Sequence, residues 1–265
     1  MSEADQPPQG STLSAAASKV LSAGLFSAGI IRAGSAQHFQ PCGGQVILMR
    51  LTIFNGSPRT GRNNTGIMSA AFAKGFAATR GNEYALYKLN SLSVPDAVKL
   101  FDKADCVLLA FPLYNSSMPS GVKEFVESLE PVLGQSVGKK VGFLVQFGSP
   151  EAWHARPLER YLENFTRLMG YEYLGTIIKG GCNSLVERPG SRKKKKILAG
   201  VREIGRVFGA TGVLDKRLLD AYSKPERLPF LKKLLTWPFV TVSNRYYRGA
   251  QLHRNEGLKK SLGKK

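Results

Sequence analysis

The 265-residue sequence predicts an α/β domain, a doubly wound five-stranded parallel sheet with helices on both faces. Three observations carry this. Short apolar runs alternate with longer segments whose apolar residues recur at helical spacing, from about residue 46 to residue 209. The short runs are nearly free of polar side chains, as strands covered on both faces must be. Polar, glycine-bearing loops follow the strands on their carboxyl side, where open parallel sheets bind ligands.

Each element has its own signal. Val46 to Phe54 is a nearly continuous apolar run that stops at Asn55-Gly56, so it reads as a buried first strand and a turn. Residues 65–79 place Ile67, Met68, Ala71, Phe72 and Phe76 on one helical stripe. Residues 84–87 form a short second strand, and Pro95 opens a short helix over 95–103. Cys106 to Phe111 contains no charged residue and reads as a central third strand. Pro119 suits a first helical turn, with Val122, Phe125, Val126 and Leu129 recurring behind it. Val141 to Val145 is the fourth strand. Leu158, Tyr161, Leu162, Phe165 and Leu168 stripe the next helix, which ends at Gly170. Tyr173 to Ile178 is the fifth strand, and Ile197, Val201, Ile204 and Phe208 mark a fifth helix. The loops to examine for chemistry are therefore 55–65, 112–119, 146–155 and 179–185.

The composition is 43% hydrophobic and 9% aromatic, which excludes wholesale disorder. No uncharged apolar run reaches the ~18 residues of a membrane span. Three cysteines without a CxxC arrangement exclude a disulfide scaffold or a zinc module. The formal charge of +19 first suggests nucleic acid or an anionic surface. Its distribution changes that reading. Residues 1–187 hold 17 basic and 14 acidic residues, a net of +3, whereas residues 188–265 hold 21 and 5, a net of +16. The basicity is that of a C-terminal extension, residues 211–265, together with the run Arg192 to Lys196.

Residues 1–45 are rich in Ser, Ala, Gly and Gln, and three readings compete for them: a disordered leader, a translational start placed too early, with Met49 the true start, or an organelle-targeting segment. The expected location is otherwise cytoplasmic. Leu228 to Val240 mixes aromatics, leucines and lysines, and Pro229 and Pro238 prevent one long amphipathic helix. It suits an arm packed on the domain or on a second subunit, or a segment lying on an anionic membrane. Five basic residues near a helix start oppose the helix dipole and hint at an anionic partner, a membrane or an acidic protein. Nucleic acid is not favoured, because no binding module is present.

The first loop, Asn55 to Thr65, joins a strand end to a helix start and is filled with hydroxyl, amide and guanidinium groups. Loop amides and a helix N-terminus make such a segment an anion site. It is neither a Walker A loop, since Arg62 and Asn63 follow Gly61, nor a GxGxxG fingerprint. The stretch GSPRTGRNNT resembles the phosphate loop of the flavodoxin-like NAD(P)H-dependent oxidoreductases, the NADPH-dependent FMN reductase group. That resemblance implies strand order 2-1-3-4-5 and FMN as cofactor. It implies that Ser57, Arg59, Asn64 and Thr65 contact the phosphate, with Asn63 a close substitute for Asn64. The second loop, Phe111 to Phe125, also resembles the family pattern. There Pro112, Leu113, Tyr114, Asn115 and Met118 would line the flavin ring, which needs an apolar wall and a few donors. Gly148 stands where the family brings backbone close to the flavin.

Weaker positions are His154, a helix-start histidine or a proton donor, and Cys182, packing or redox-active. Residues 88–104 hold no cysteine, which excludes the cluster of the iron–sulfur relatives. The resemblance implies an FMN-dependent oxidoreductase taking hydride from NADH or NADPH and passing electrons to a small acceptor such as a quinone, a free flavin or a nitro compound. It also implies a homodimer. The competing readings are a flavodoxin-type electron carrier without NAD(P)H activity and a flavin-free interaction module using the basic tail.

Overall fold

The computed structural model describes residues 48–132, 134, 138–183, 185, 186 and 190–229. The leader segment 1–45, most of the stretch 228–240 and the rest of the basic tail lie outside them. Five strands form one sheet: β1 (Arg50–Asn55), β2 (Glu83–Lys88), β3 (Cys106–Pro112), β4 (Lys140–Gln146) and β5 (Glu172–Lys179). Their order is β2-β1-β3-β4-β5 and every pairing is parallel. This is the flavodoxin-like arrangement anticipated from the sequence. The helices are α1 (Asn64–Phe76), α2 (Val94–Asp102), α3 (Ser120–Glu127), α4 (Arg156–Leu168), α5 (Arg192–Thr211) and α6 (Lys216–Ser223). None of them, among the described residues, is long and apolar enough to cross a membrane.

The core follows from strand alternation. On one face, Val107, Leu109 and Phe111 of β3 join Phe54, Phe143 and Val145 against Phe101 of α2, Phe125 of α3 and Leu162 of α4. On the other, Cys106, Leu108 and Ala110 join Leu51 and Ile53 against Phe72 of α1 and Val201, Ile204 and Phe208 of α5. β3 is buried along its whole length, because it has neighbours on both sides and helices on both faces.

Two boundaries differ from the sequence reading. Among the described residues the first strand begins at Arg50, because Leu48 is exposed and pairing starts where the Glu83 amide reaches the Met49 carbonyl at 3.0 Å; residues 46 and 47 of the expected strand lie outside the described residues. The chain also forms a further helix after the alternation ends. Asp215 caps α6 through the Leu218 amide at 2.8 Å, and Leu218, Leu219 and Tyr222 pack against the face that holds α5.

One buried charge has a clear task. Lys139 is 4% exposed, and its ammonium donates to the carbonyls of Phe101 (2.8 Å), Asp102 (2.9 Å) and Ala104. These belong to the C-terminal turn of α2 and the loop behind it, so the lysine satisfies carbonyls that the helix leaves open. Burial nonetheless pulls its pKa below the usual lysine value.

The buried thiols give the fold an alkaline limit. Desolvation pushes Cys106 and Cys182 from 9.0 up to about 12. Folding therefore holds protons that the unfolded chain has lost, and the stability each thiol contributes is whole below pH 9 and fades as pH rises through 12. The limiting slope is about 1.4 kcal/mol per pH unit for each thiol. Urea titrations across this window are expected to show a shallower fall for Cys106→Ala than for the parent. Burial lowers Lys139 and Lys179 and so acts in the opposite sense, but that contribution is common to both proteins. Equal slopes would reject the assignment to the thiol.

Candidate functional site

After β1 the chain turns towards β2 on one side, while β3 lies on the other, so strand order reverses between β1 and β3. A crevice opens there at the carboxyl ends of the strands.

Two asparagines shape the first loop. Buried Asn55 ends β1, accepts from the Ser57 amide at 3.0 Å and donates to Asn63 Oδ1 at 3.4 Å. Asn63 caps α1 by accepting from the Gly66 amide at 2.8 Å. Its Nδ2 donates to the carbonyls of Arg59 (3.2 Å) and Gly61 (3.0 Å). The loop is thereby curled around Asn63, whose amide is fully used within the chain. The backbone amides of Thr60 to Thr65 find no acceptor among the described residues. Six N–H groups without an acceptor thus lead into a helix N-terminus, a setting that favours an anion. Exposed Arg59 adds a positive charge beside them, and neither Arg59 nor Arg62 makes an ion pair among the described residues.

The second loop is a tight reversal. The amides and carbonyls of Tyr114 and Ser117 bond each other at 2.9 Å in both directions, and Asn115 and Ser116 between them have φ of 47° and 62°. Two left-handed residues in a two-residue loop make a type I′ turn. Asn tolerates that region and Ser tolerates it poorly. Ser116→Gly is accordingly expected to raise stability by about 0.5–1 kcal/mol, read from urea unfolding, and a fall would reject this account of the turn.

The loops after β4 and β5 are held together. Phe147 donates to the Lys179 carbonyl (3.1 Å), Gly181 to Ser149 (2.7 Å) and Cys182 to Phe147 (2.9 Å), which extends the parallel pairing past the strand ends. A Cβ on Gly180 would collide with the Ser149 carbonyl oxygen, and one on Gly148 with the amide of Asn183.

These four loops enclose a cleft of about 100 Å³. Its walls are Ser57, Arg59, Asn63 and Asn64 from the first loop, Pro112, Leu113 and Tyr114 from the second, and Gly148 from the third. Eight of the residues singled out from sequence therefore come together. Three do not line it. Thr65 is wholly buried behind the loop, where its hydroxyl accepts from Gln146 Nε2 at 3.2 Å. Asn115 is exposed at the turn tip. Met118 is half-buried and packs against the core cluster that holds Phe101 and Phe125. Asn183 also lines the cleft, from the Gly180 to Asn183 segment expected to approach the cofactor or shape the substrate pocket, and Gln146 and Phe147 line it without having been singled out. The only sequence signal for Gln146 and Phe147 is their place at the carboxyl end of β4.

Asn64 ties the first loop to the fourth. Its Nδ2 donates to the Cys182 carbonyl at 2.7 Å, while its Oδ1 is buried with no partner among the described residues. Cys182 itself is inert packing: it is fully buried against Met68, and its raised pKa keeps the thiol protonated. His154 stacks on Trp153 with ring centres 4.1 Å apart and meets Phe147 edge-on at 6.5 Å, so it stands one ring behind the cleft wall. Two larger hollows lie elsewhere. One of about 280 Å³ lies between the first loop and the starts of α2 and α3, and one of about 480 Å³ lies along β5 between α4 and α6. Neither combines converging polar side chains with free loop amides.

A doubly wound parallel sheet in the order β2-β1-β3-β4-β5 defines a flavodoxin-like fold. The chain belongs to the Flavodoxin_2 family, described as having the flavodoxin-like fold, and matches it over residues 49–203. No curated protein matches the sequence. Solved structures similar to it include an NADPH-quinone reductase from P. pentosaceus, at 19% identity and a TM-score of 0.46, covering 62% of this chain and 99% of that one. An azoreductase from Bacillus anthracis str. Sterne matches at 14% identity and 0.47, covering 62% and 99%. An NADH:FMN oxidoreductase (EMOB) in its apo form matches at 18% identity and 0.48, covering 60% and 89%. At these identities the likeness says nothing about what this chain binds.

Proposed function

We propose that the protein is an FMN-dependent NAD(P)H oxidoreductase that passes electrons to a small acceptor such as a quinone or a flavin. The observation that carries the reading is the cradle: the free amides of Thr60 to Thr65 beside Ser57 and Arg59, at the switch point of a flavodoxin-like sheet. A phosphate monoester suits it, since amides and a guanidinium supply donors from several directions and no carboxylate opposes the charge. The cleft is smaller than the roughly 300 Å³ of ordinary small-ligand pockets. It therefore suits the phosphate and ribityl end of the cofactor. The flat ring is left to the rims, where Leu113 and Tyr114 supply apolar surface and Gly148 presents bare backbone.

When bound, FMN supplies the hydride chemistry. The chain's own residues bind and orient. Ser57 and Arg59 hold the phosphate. Asn63 keeps the loop amides converged by occupying the carbonyls of Arg59 and Gly61. Gln146, held by Thr65, and Asn183, seated over Gly148, close the floor between β4 and β5. No side chain has to move a proton for the hydride step, so none is assigned that task.

Purified protein mixed with FMN should acquire bound flavin absorbance, and anaerobic NADPH or NADH should bleach it within seconds. Protein that stays colourless with added FMN would overturn the reading. Bound flavin that no nicotinamide donor bleaches would instead make the protein an electron carrier.

A further inference from the structure

The loop after β4 is strapped by the chain's own C-terminal segment. The carbonyls of Pro225 and Glu226 accept from the amides of Ala152 (3.0 Å) and Trp153 (3.2 Å), and the Leu228 amide donates to Glu151 Oε1 at 2.8 Å. Glu226 also takes the fork of Arg156, at 2.8 Å from Nη2 and 3.1 Å from Nε. Arg227, between these two anchored residues, takes a different partner. Its guanidinium lies over the indole of Trp153, 5.2 Å from the ring centre. Trp153 stacks on His154, His154 meets Phe147 edge-on, and Phe147 lines the cleft. An aromatic ladder thus runs from the cleft wall to an exposed guanidinium.

Arg227 is not needed to hold the strap, which the two backbone bonds and the Glu226–Arg156 fork already secure. An exposed cation–π contact is too weak to be what holds the strap in place. The neighbouring carboxylate of Glu226 is taken by Arg156, and Arg227 makes no ion pair among the described residues. The indole shelves the guanidinium, and its N–H groups find no acceptor among the described residues, which leaves them open to two-point recognition of a phosphate.

We propose that Arg227, shelved on Trp153, binds a phosphate of the reduced nicotinamide dinucleotide whose nicotinamide end stacks on the flavin ring at the rim of the cleft. This rests on the oxidoreductase reading above and adds the residue that recognises the donor. The phosphate is either the 2′-phosphate of NADPH or the pyrophosphate shared with NADH.

The test is calorimetric titration of NADP⁺ and NAD⁺ into the FMN-loaded full chain, parent against Arg227→Ala and Trp153→Leu. Arg227→Ala is expected to weaken NADP⁺ binding about tenfold or more, as loss of a charged hydrogen-bonding group does. An unchanged NAD⁺ affinity then assigns the 2′-phosphate, and a parallel loss assigns the pyrophosphate. Trp153→Leu, which removes the shelf and keeps the charge, should weaken NADP⁺ by a smaller factor. Unchanged affinities in both variants, with NADPH still bleaching the flavin of the parent, overturn this inference alone. Bound flavin falling in step with NADP⁺ affinity also overturns it, since Arg227 would then act through the cleft itself. A parent that binds neither nucleotide and is not bleached overturns it together with the oxidoreductase reading.

Discussion

Gly205→Ala is expected to destabilise the fold by about 2 kcal/mol, although alanine is the better helix former. Gly205 lies in α5 where that helix crosses α1, and a Cβ there would collide with the carbonyl oxygen of Phe72. Gly75 meets the backbone of Arg202 and Gly209 meets that of Phe76 in the same way, so three glycines form the seam between the two helices. Two effects oppose each other. Helix propensity favours alanine by about 1 kcal/mol. Overpacking a close helix contact costs about 1–3 kcal/mol, and here the obstacle is backbone, which cannot rotate away. The clash prevails, and the midpoint of thermal unfolding should fall by about 4–8 °C. Gly121 in α3 has nothing within 4 Å of its Cβ position. Gly121→Ala should therefore raise stability by a few tenths to about 1 kcal/mol. Equal signs for the two substitutions, measured by urea unfolding, would dismiss the seam.

Arg59→Ala is expected to weaken FMN binding at least tenfold while leaving the unfolding midpoint of the apoprotein unchanged. The side chain is exposed and makes no ion pair among the described residues, so the fold loses nothing with it. A charged hydrogen bond to phosphate accounts for about 1.5–3 kcal/mol. At the mouth of an open cleft that interaction is screened, so the difference between parent and variant should shrink as salt rises. Asn63→Ala separates the two roles. It removes the cap of α1 and the two bonds that curl the loop, at a cost of about 1–2 kcal/mol in stability. Flavin affinity should fall with it, because the amides of Thr60 to Thr65 lose their convergence. Fluorescence titration of FMN beside thermal unfolding reads both quantities. Unchanged affinity in Arg59→Ala would remove the arginine from the phosphate site, and unchanged stability in Asn63→Ala would remove the asparagine from the loop's frame.

Much of the site was legible in the sequence because its signals are local. An apolar run ending at Asn55-Gly56 and a polar loop before an apolar helical stripe say where a strand stops and the first loop of the cleft begins. Pro112 to Tyr114 and Gly148 were legible for the same reason, each standing directly after a buried strand. What each polar residue does there was not. Asn63 and Thr65 look alike as phosphate contacts in a string of hydroxyl and amide residues. In the fold, Asn63 is spent on the loop and Thr65 faces Gln146, 81 positions along the chain. Asn64 reaches the Cys182 carbonyl across 118 positions.

The sequence by itself therefore determined the order of elements, the burial of the sheet and the four loops that make the crevice. Periodicity and turn chemistry act over a few residues and can be read without knowing what lies opposite. Only the tertiary structure decided which side chains face the crevice, that glycines seam α1 to α5, and that the segment around Arg227 straps the loop after β4. Those depend on which distant backbone or side chain meets each residue, and a periodic pattern carries no record of that partner.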